Sequence, residues 1–143
     1  MSKILLKISN ASIGVVCLPS RNSLKNNTWD IKCRDRLEGI IAFVKWSIPQ
    51  NKAFMNCYKL TFMLGVNPTL GSDMSYMFYG ATSFNQPLNF DTSSVINMSC
   101  MFEEASSFNQ RVNFDTSSVT DISNIFRGSA MTQENIALFQ IHS

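Results

Sequence analysis

Apolar and polar positions recur along the second half of the chain with a period of 24 residues. Residues 74–97 read MSYMFYGATSFNQPLNFDTSSVIN and residues 98–121 read MSCMFEEASSFNQRVNFDTSSVTD, so that 16 of 24 positions are identical without a gap. Average amino-acid usage would supply about one or two such matches by chance. Self-similarity at this period indicates a repeat protein, in which each unit packs on its neighbours.

Weaker copies of the unit flank this pair. Ile122 and Phe126 stand where Met98 and Phe102 stand one unit earlier, and a fainter apolar match extends back to about residue 50. About three stacked units are needed for a stable repeat array, and four are available here. We therefore predict a leader over residues 1–49 and a repeat region over residues 50–143, divided into unit 1 (50–73), unit 2 (74–97), unit 3 (98–121) and unit 4 (122–143).

Each unit combines two hydrophobic periods. Met98, Met101, Phe102 and Ala105 are spaced i, i+3, i+4, i+7, which predicts one buried face of a short helix. Asp121, or Thr120 before it, can cap the helix of the next unit with a side-chain oxygen.

The later part of the unit alternates apolar and polar residues. Leu88-Asn89-Phe90-Asp91 and Val112-Asn113-Phe114-Asp115 both follow this pattern, which predicts a half-buried strand followed by a turn. Stacked strands lie about 4.8 Å apart and packed helices about 8 to 10 Å. The pattern therefore predicts an α/β solenoid of strand-turn-helix coils that curves with its strands on the inner side.

Two kinds of polar residue recur one unit apart. Asn85 and Asn109, each followed by a glutamine, are expected to hydrogen-bond between units as an amide ladder. Asp91 and Asp115 would repel each other if both were buried, so we expect them to face solvent or to accept turn N–H groups. A metal site built on these two carboxylates lacks a third ligand.

The region before the repeats contains one amphipathic pattern. Residues 35 to 48, DRLEGIIAFVKWSI, begin near an aspartate and end before Pro49, which predicts a helix. The open end of a repeat array exposes apolar surface, so this helix is expected to cap the array. The alternative is that residues 1–49 form an unrelated leader, because no repeat is found there.

Charge and composition narrow the range of functions. The hydrophobic fraction of 45% suffices for one modest core, and the net charge is only +2. Eight of the twelve Lys and Arg residues fall within residues 1–49, but they are scattered and form no dense basic run. We therefore predict no nucleic-acid partner.

Residues suited to catalysis or metal binding are sparse. The four cysteines, Cys17, Cys33, Cys57 and Cys100, form no C-x-x-C pair, and the single histidine, His142, is the residue before the last. A Ser-His-Asp set, a phosphate-binding glycine loop and a metal cluster are all missing from the sequence pattern. The chain is therefore predicted to be no enzyme and to bind no cofactor or metal.

No stretch of the sequence reaches the roughly 18 apolar residues that a membrane helix needs, so no membrane span is predicted. Residues 1–20 carry Lys3 and Lys7 ahead of a short apolar run from Ile13 to Leu18. This arrangement is a weak version of a secretory signal.

The residues MF-xx-A-xx-FNQ-xx-NFDTSSV resemble the BspA-like leucine-rich-repeat proteins. Repeats of that family carry M-xx-MF-xx-A-xx-FNQPL followed by a W-D-T/V-S-S/N-V-T-N/D-M stretch. Phe90 and Phe114 stand where the family usually has tryptophan, and Arg111 replaces the proline retained at Pro87. The resemblance implies a short right-handed α/β solenoid used for adhesion and protein contacts at a microbial or protist cell surface.

Together the pattern and the resemblance predict a non-catalytic protein-binding or surface-adhesion module. Its partners are expected to be other proteins, including host or matrix proteins, with end-to-end self-association through the open ends of the array. The alternatives are a cytoplasmic interaction scaffold and a truncated fragment of a longer surface repeat protein. The candidate partner-binding face consists of repeated polar residues of the alternating segments: Asn89, Asp91, Arg111, Asn113 and Asp115.

Overall fold

The computed structural model describes residues 4–8, 37–42, 51–64 and 71–139. Within them, strand β1 spans Ile4–Ile8, β2 spans Leu37–Ala42, β3 spans Phe62–Leu64, and helix α1 spans Gln133–Leu138. The strands form one sheet in the order β1-β2-β3, in which β1 is antiparallel to β2 and β2 is parallel to β3.

The helix predicted over residues 35 to 48 is wrong for Leu37–Ala42, which form β2; the remaining residues of that span lie outside the described part of the chain. Gly39 pairs with Phe62 in the parallel register, and the Thr61 N–H donates to the Glu38 carbonyl at 2.9 Å. A Cβ at Gly39 would lie 2.1 Å from the Phe62 ring. The missing side chain therefore admits this ring, whereas glycine inside a helix costs about 1 kcal/mol.

Consecutive turns replace the short helices predicted inside the repeat units. The turn segments cover 51–56, 75–80, 99–104 and 123–128, one in each unit. The apolar positions predicted for the buried face are nevertheless correct, because Met98, Met101, Phe102 and Ala105 are all fully buried. Turns that close every two or three residues bring the same positions inward as a helix does, so the apolar spacing alone does not separate the two.

Backbone N–H groups of the turn segments alternate between two kinds of acceptor. In unit 2 the N–H of Met77 donates to Met74 O within the unit, at 3.3 Å. The N–H groups of Tyr76, Phe78 and Gly80 instead donate at 3.0, 2.8 and 2.9 Å to carbonyls of the next unit. Units 1 and 3 repeat this arrangement. An α-helix would direct all of these N–H groups to the fourth residue back.

Left-handed backbone conformations occur at two fixed positions of each turn segment. The first position holds Lys52, Tyr76, Cys100 and Asn124, with φ between 56° and 61°. The second holds Asn56, Gly80, Glu104 and Gly128, with φ between 59° and 72°. A left-handed residue ends an α-helix, because the peptide beyond it is rotated away from the helix axis.

The alternating segments show the expected burial without regular strands. Leu88 and Phe90 are buried while Asn89 and Asp91 are exposed, and unit 3 repeats this alternation. In the described residues, no backbone hydrogen bond joins this segment of unit 2 to that of unit 3. The right-handed strand-turn-helix solenoid as a whole stays a prediction, with turns in place of its helices.

Phenylalanine rings stack between units through the core. The centroids of Phe54, Phe78, Phe102 and Phe126 follow one another at 5.5, 5.5 and 5.8 Å. On the alternating segments, the Phe90 and Phe114 centroids are 6.3 Å apart. The rings of the turn segments thus lie closer together than those of the alternating segments, and backbone hydrogen bonds join the units on the turn side.

The amide ladder expected from Asn85 and Asn109 is confirmed. Asn85 Oδ1 accepts the Asn109 N–H and the Gln110 side-chain amide, both at 2.9 Å. Asn109 Oδ1 in turn accepts the Thr132 N–H at 3.1 Å and the Asn135 side-chain amide at 2.8 Å. Side-chain amides thus join the units where the backbone does not, and they hold the start of α1.

Substitutions at the second left-handed position distinguish a turn from a helix, because the two structures predict opposite changes in the free energy of unfolding. Gly80→Ala should lower the free energy of unfolding by about 1 to 2 kcal/mol, because alanine is strained at positive φ and its Cβ would lie 2.3 Å from Asn56 Oδ1. Glu104→Gly should be neutral or stabilising by up to about 1 kcal/mol. A helix would give opposite signs for both. Urea denaturation of the two variants measures the difference.

Candidate interaction face

The five residues of the candidate partner-binding face are all solvent-exposed. Four of them lie on either side of a buried phenylalanine: Asn89 and Asp91 flank Phe90, and Asn113 and Asp115 flank Phe114. Because the Phe90 and Phe114 rings stack with an interplanar angle of 8°, residues 24 apart occupy equivalent places on neighbouring units. The face therefore consists of one asparagine column and one aspartate column, with Arg111 on the unit 3 side.

Both aspartates are held by turns that follow the alternating segments. Asp91 Oδ1 accepts the Ser93 N–H at 3.1 Å and the Ser93 hydroxyl at 2.7 Å. Asp115 Oδ1 accepts the Ser117 N–H at 2.9 Å. The expectation that these carboxylates accept turn N–H bonds is thus confirmed.

Hydroxyl groups fix the separation of the two turns. The buried Thr92 donates its hydroxyl to Asp115 O at 2.9 Å, and Ser118 donates its hydroxyl to Ser93 O at 3.1 Å. These bonds run in opposite directions between units 2 and 3. The two turns that carry Asp91 and Asp115 are therefore joined by hydrogen bonds to the backbone of both units.

A third column of side-chain acceptors marks the start of each turn segment. Asp73, Asn97 and Asp121 each accept, at 2.9 Å, the N–H of the serine two residues later. Parallel bridges join Asp73 to Asn97 and Asn97 to Asp121. The capping role expected of Asp121 is therefore confirmed, although the segment that it caps is a turn.

The aspartate cap has an electrostatic consequence at Asp121. The hydroxyl and the N–H of Ser123 both donate to this carboxylate, and these bonds lower its pKa below the ordinary value. Hydrogen bonds to the ionised form favour that form.

Tyr76 and Tyr79 form a side-chain pair in the turn segment of unit 2 that the sequence pattern did not single out. The Tyr76 and Tyr79 rings are 5.6 Å apart and half-buried. Unit 3 has Cys100 and Glu103 at these positions, although the two units are identical at 16 of 24 positions. This difference between two otherwise similar units is the feature of the sequence from which the group could have been found.

The chemistry of this group disfavours a reactive thiol. Burial is the largest cause that raises the pKa of Cys100, and a hydrogen bond with Glu103 raises it further. A hydrogen bond with Cys100 in turn raises the pKa of Tyr76. Since the thiolate is the nucleophile, a raised pKa keeps Cys100 in its unreactive form at neutral pH.

Among residues 4–8, 37–42, 51–64 and 71–139, no three His, Cys, Asp or Glu side chains come together as a metal-binding group. No helix within the same residues is long and apolar enough to cross a membrane. His142, Cys17 and Cys33 lie outside the described residues, as does most of the signal-like segment 1–20.

The repeated units define the chain as a repeat protein, and the comparisons with known proteins identify its family. A family model described as "Mycoplasma protein of unknown function, DUF285" matches residues 51–143. The chain belongs to this family, since the match covers well over half of its length. No curated protein and no solved structure matches the chain.

Acidification should reveal the contribution of the Asp121 cap. Its pKa is lower in the folded chain than in the unfolded chain, so the ionised cap stabilises the fold above the unfolded value, near pH 4, and this stabilisation disappears as the pH falls through the folded value. Asp121→Asn should therefore reduce the acid-induced drop in melting temperature between about pH 5 and pH 2. Asparagine serves the same role at position 97, so the variant should fold.

Thermal unfolding followed by circular dichroism across that pH range measures the effect. Ser123→Ala removes only the hydroxyl bond and should give an intermediate profile. A pH profile of Asp121→Asn that coincides with that of the unmodified chain would contradict the assignment.

Proposed function

We propose that the chain is a non-catalytic protein-binding module, and that it resembles the BspA-like surface repeat proteins in using a short solenoid for adhesion. The observation that carries the proposal is the repetition of exposed polar columns on units that are hydrogen-bonded to one another. A repeated, extended surface suits a macromolecular partner better than a small substrate, which needs a concave pocket.

The attachment of the face supports a binding role. A partner surface loses less entropy on association when the groups that it meets are already held in place. Asp91 and Asp115 are held by serine N–H groups, and Thr92 ties the first turn to the second. The aspartate column therefore consists of preorganised polar groups and not of long mobile side chains.

The proposed face combines acceptors, amides and one cation. Carboxylates at two equivalent positions, with Arg111 nearby in sequence, suit a partner surface that carries both basic and acidic groups. We place the partner among proteins exposed outside the cell, including host or matrix proteins. A cytoplasmic scaffold or a fragment of a longer surface protein would use the same face in another setting.

Charge placed on the asparagine column should disrupt binding. Replacing Asn89 and Asn113 together by lysine should weaken the affinity for a matrix or host-cell protein by about tenfold or more, since buried interfacial charges without partners cost at least about 1.4 kcal/mol. Biolayer interferometry with a panel of purified, immobilised proteins measures this change.

The matched control is the Ser83→Lys and Ser107→Lys double variant. These serines are also exposed and also one unit apart, but they lie in another part of the unit. The control adds the same charge and should retain affinity within about twofold. Equal losses in both double variants would contradict the assignment of the face, and failure of the unmodified chain to bind any protein of the panel would count against adhesion.

Location is tested by exposure to protease in the native cell. A tag at the C-terminus should be digested on intact cells by an external protease, because an adhesion module has to lie outside the membrane. A cytoplasmic enzyme of the same cells must remain intact in that experiment. Digestion of the tag only after lysis would reject the surface proposal and favour the cytoplasmic scaffold.

A further inference from the structure

Tyr76 and Tyr79 differ in burial from the other aromatic residues of the central units. Every phenylalanine of units 2 and 3 is buried, whereas these two tyrosines are half-buried. Their ring centroids are 5.6 Å apart with an interplanar angle of 53°. The pair therefore lies outside the phenylalanine core and presents ring area at the surface of the turn segment, where tyrosine serves as an amphipathic contact residue.

A largely buried carboxylate adjoins the tyrosine pair from unit 3. Glu103 stands one unit after Tyr79, and its side chain is 14% exposed. A hydrogen bond with Cys100 is the first cause that raises the pKa of Tyr76, and the charge of Glu103 raises it further, so this carboxylate lies near the Tyr76 ring. We call Tyr76, Tyr79 and Glu103 the tyrosine-carboxylate surface.

Arg127, the cation that pairs with Glu103 in the described residues, is held loosely. Its Nη1 atom lies 4.0 Å from Glu103 Oε1, and the arginine side chain is 70% exposed. Hydrogen bonds between arginine and a carboxylate are about 2.7 to 2.9 Å long. The two side chains thus attract each other without a direct hydrogen bond, and a cation that makes closer contact with Glu103 displaces Arg127.

The charges around this surface favour a basic occupant. The faces of tyrosine rings attract cations, and Glu103 together with the exposed Glu104 outnumbers Arg127 on the unit 3 side. An acidic group would be repelled by these carboxylates. Lys52 precedes Tyr76 at the same position of unit 1, so the favoured place for a cation is the unit 3 side of the ring.

We infer that the tyrosine-carboxylate surface is a second protein-binding surface, which takes an arginine side chain from a basic segment of the partner. The guanidinium group binds the Glu103 carboxylate in place of Arg127 and lies against the tyrosine rings, because its planar fork suits both contacts. The inference rests on the proposal that the chain binds proteins. It adds a partner chemistry that the face of Asn89 and Asn113 does not specify.

Titration of the full chain with a short peptide of alternating glycine and arginine tests the inference. The chain has three tyrosines, so their ring signals can be followed separately by nuclear magnetic resonance. The Tyr76 and Tyr79 signals should shift in a saturable manner, whereas Tyr58, which is 44% exposed in unit 1, should not shift. The same peptide with uncharged citrulline in place of arginine should bind about fivefold more weakly or less.

Three charge variants give results of different sign. Glu103→Gln should weaken binding of the arginine peptide by about three- to tenfold, because the amide carries no charge. Arg127→Gln should strengthen binding by about two- to threefold, because it removes the competing cation. The matched control is Glu134→Gln, which neutralises an exposed carboxylate on α1 and should leave the affinity unchanged within about twofold.

Variants of the tyrosines test the contribution of the rings. Tyr79→Leu should weaken binding by about two- to fivefold, and Tyr79→Phe should retain it, since phenylalanine keeps the ring face. Tyr58→Leu removes an exposed tyrosine of unit 1 and is the control that should bind normally. Urea denaturation of each variant confirms that it is folded before its affinity is compared.

Four results would overturn the inference: equal binding of the arginine and citrulline peptides, equal shifts at Tyr58, weaker binding by Arg127→Gln, and full binding by Tyr79→Leu. Failure of this surface is distinguishable from failure of the proposed adhesion. A chain that binds a protein of the panel but not the arginine peptide would overturn the inference alone. Binding of the peptide with no panel protein bound would support the inference and count against adhesion.

Discussion

The structure depends on where the turn segments send their N–H groups. Within unit 2 the Met77 N–H closes a turn inside the unit, whereas the N–H groups of its neighbours Tyr76 and Phe78 cross to unit 3. No unit can satisfy its own backbone by this arrangement, since half of the N–H groups of the segment point out of it. The units therefore depend on one another for stability in the manner of other repeat arrays, in which each interface supplies what a single unit lacks.

Core packing follows from the spacing that this backbone arrangement sets. Units held by N–H to C=O bonds bring equivalent phenylalanines to a ring separation of about 5.5 Å, as for Phe78 and Phe102. Phe108 packs beside Phe102 at 4.1 Å in the same unit. Unit 4 has Thr132 where Phe108 stands, and Phe139 supplies an edge-on ring for Phe126 at 5.2 Å. In unit 4 the ring that packs on Phe126 therefore comes from Phe139, which stands at a different position of the unit from Phe108.

Much of this organisation was predictable from the sequence. The period, the buried apolar positions, the amide ladder from Asn85 and the turn role of Asp91 all follow from residue type and spacing. These features depend on the side chain alone, so the pattern of side chains is enough to predict them.

The backbone path was not predictable in the same way. Three of the four residues at the first left-handed position, Lys52, Tyr76 and Cys100, are types that rarely adopt positive φ. Hydrogen bonds between units stabilise the conformation there, and sequence propensity does not report such bonds. β2 is a similar case, because pairing with β3 and the Phe62 ring against Gly39 outweigh an amphipathic pattern that also suits a helix. The same limit applies to the site: exposure of Asn89 and Asn113 was predictable, but the pairing of Tyr76 with Cys100 required the spatial register.

The backbone hydrogen bonds between the turn segments all run in one direction, and this has an electrical consequence. A peptide group has a dipole of about 3.5 D, and dipoles that point the same way add together. The peptides that link successive turn segments are aligned along the array, with carbonyls toward unit 1 and N–H groups toward unit 4. This side of the repeat region is therefore polarised as a helix is, although no helix runs along it, and each additional unit would lengthen the polarised stack without changing the charge of its side chains.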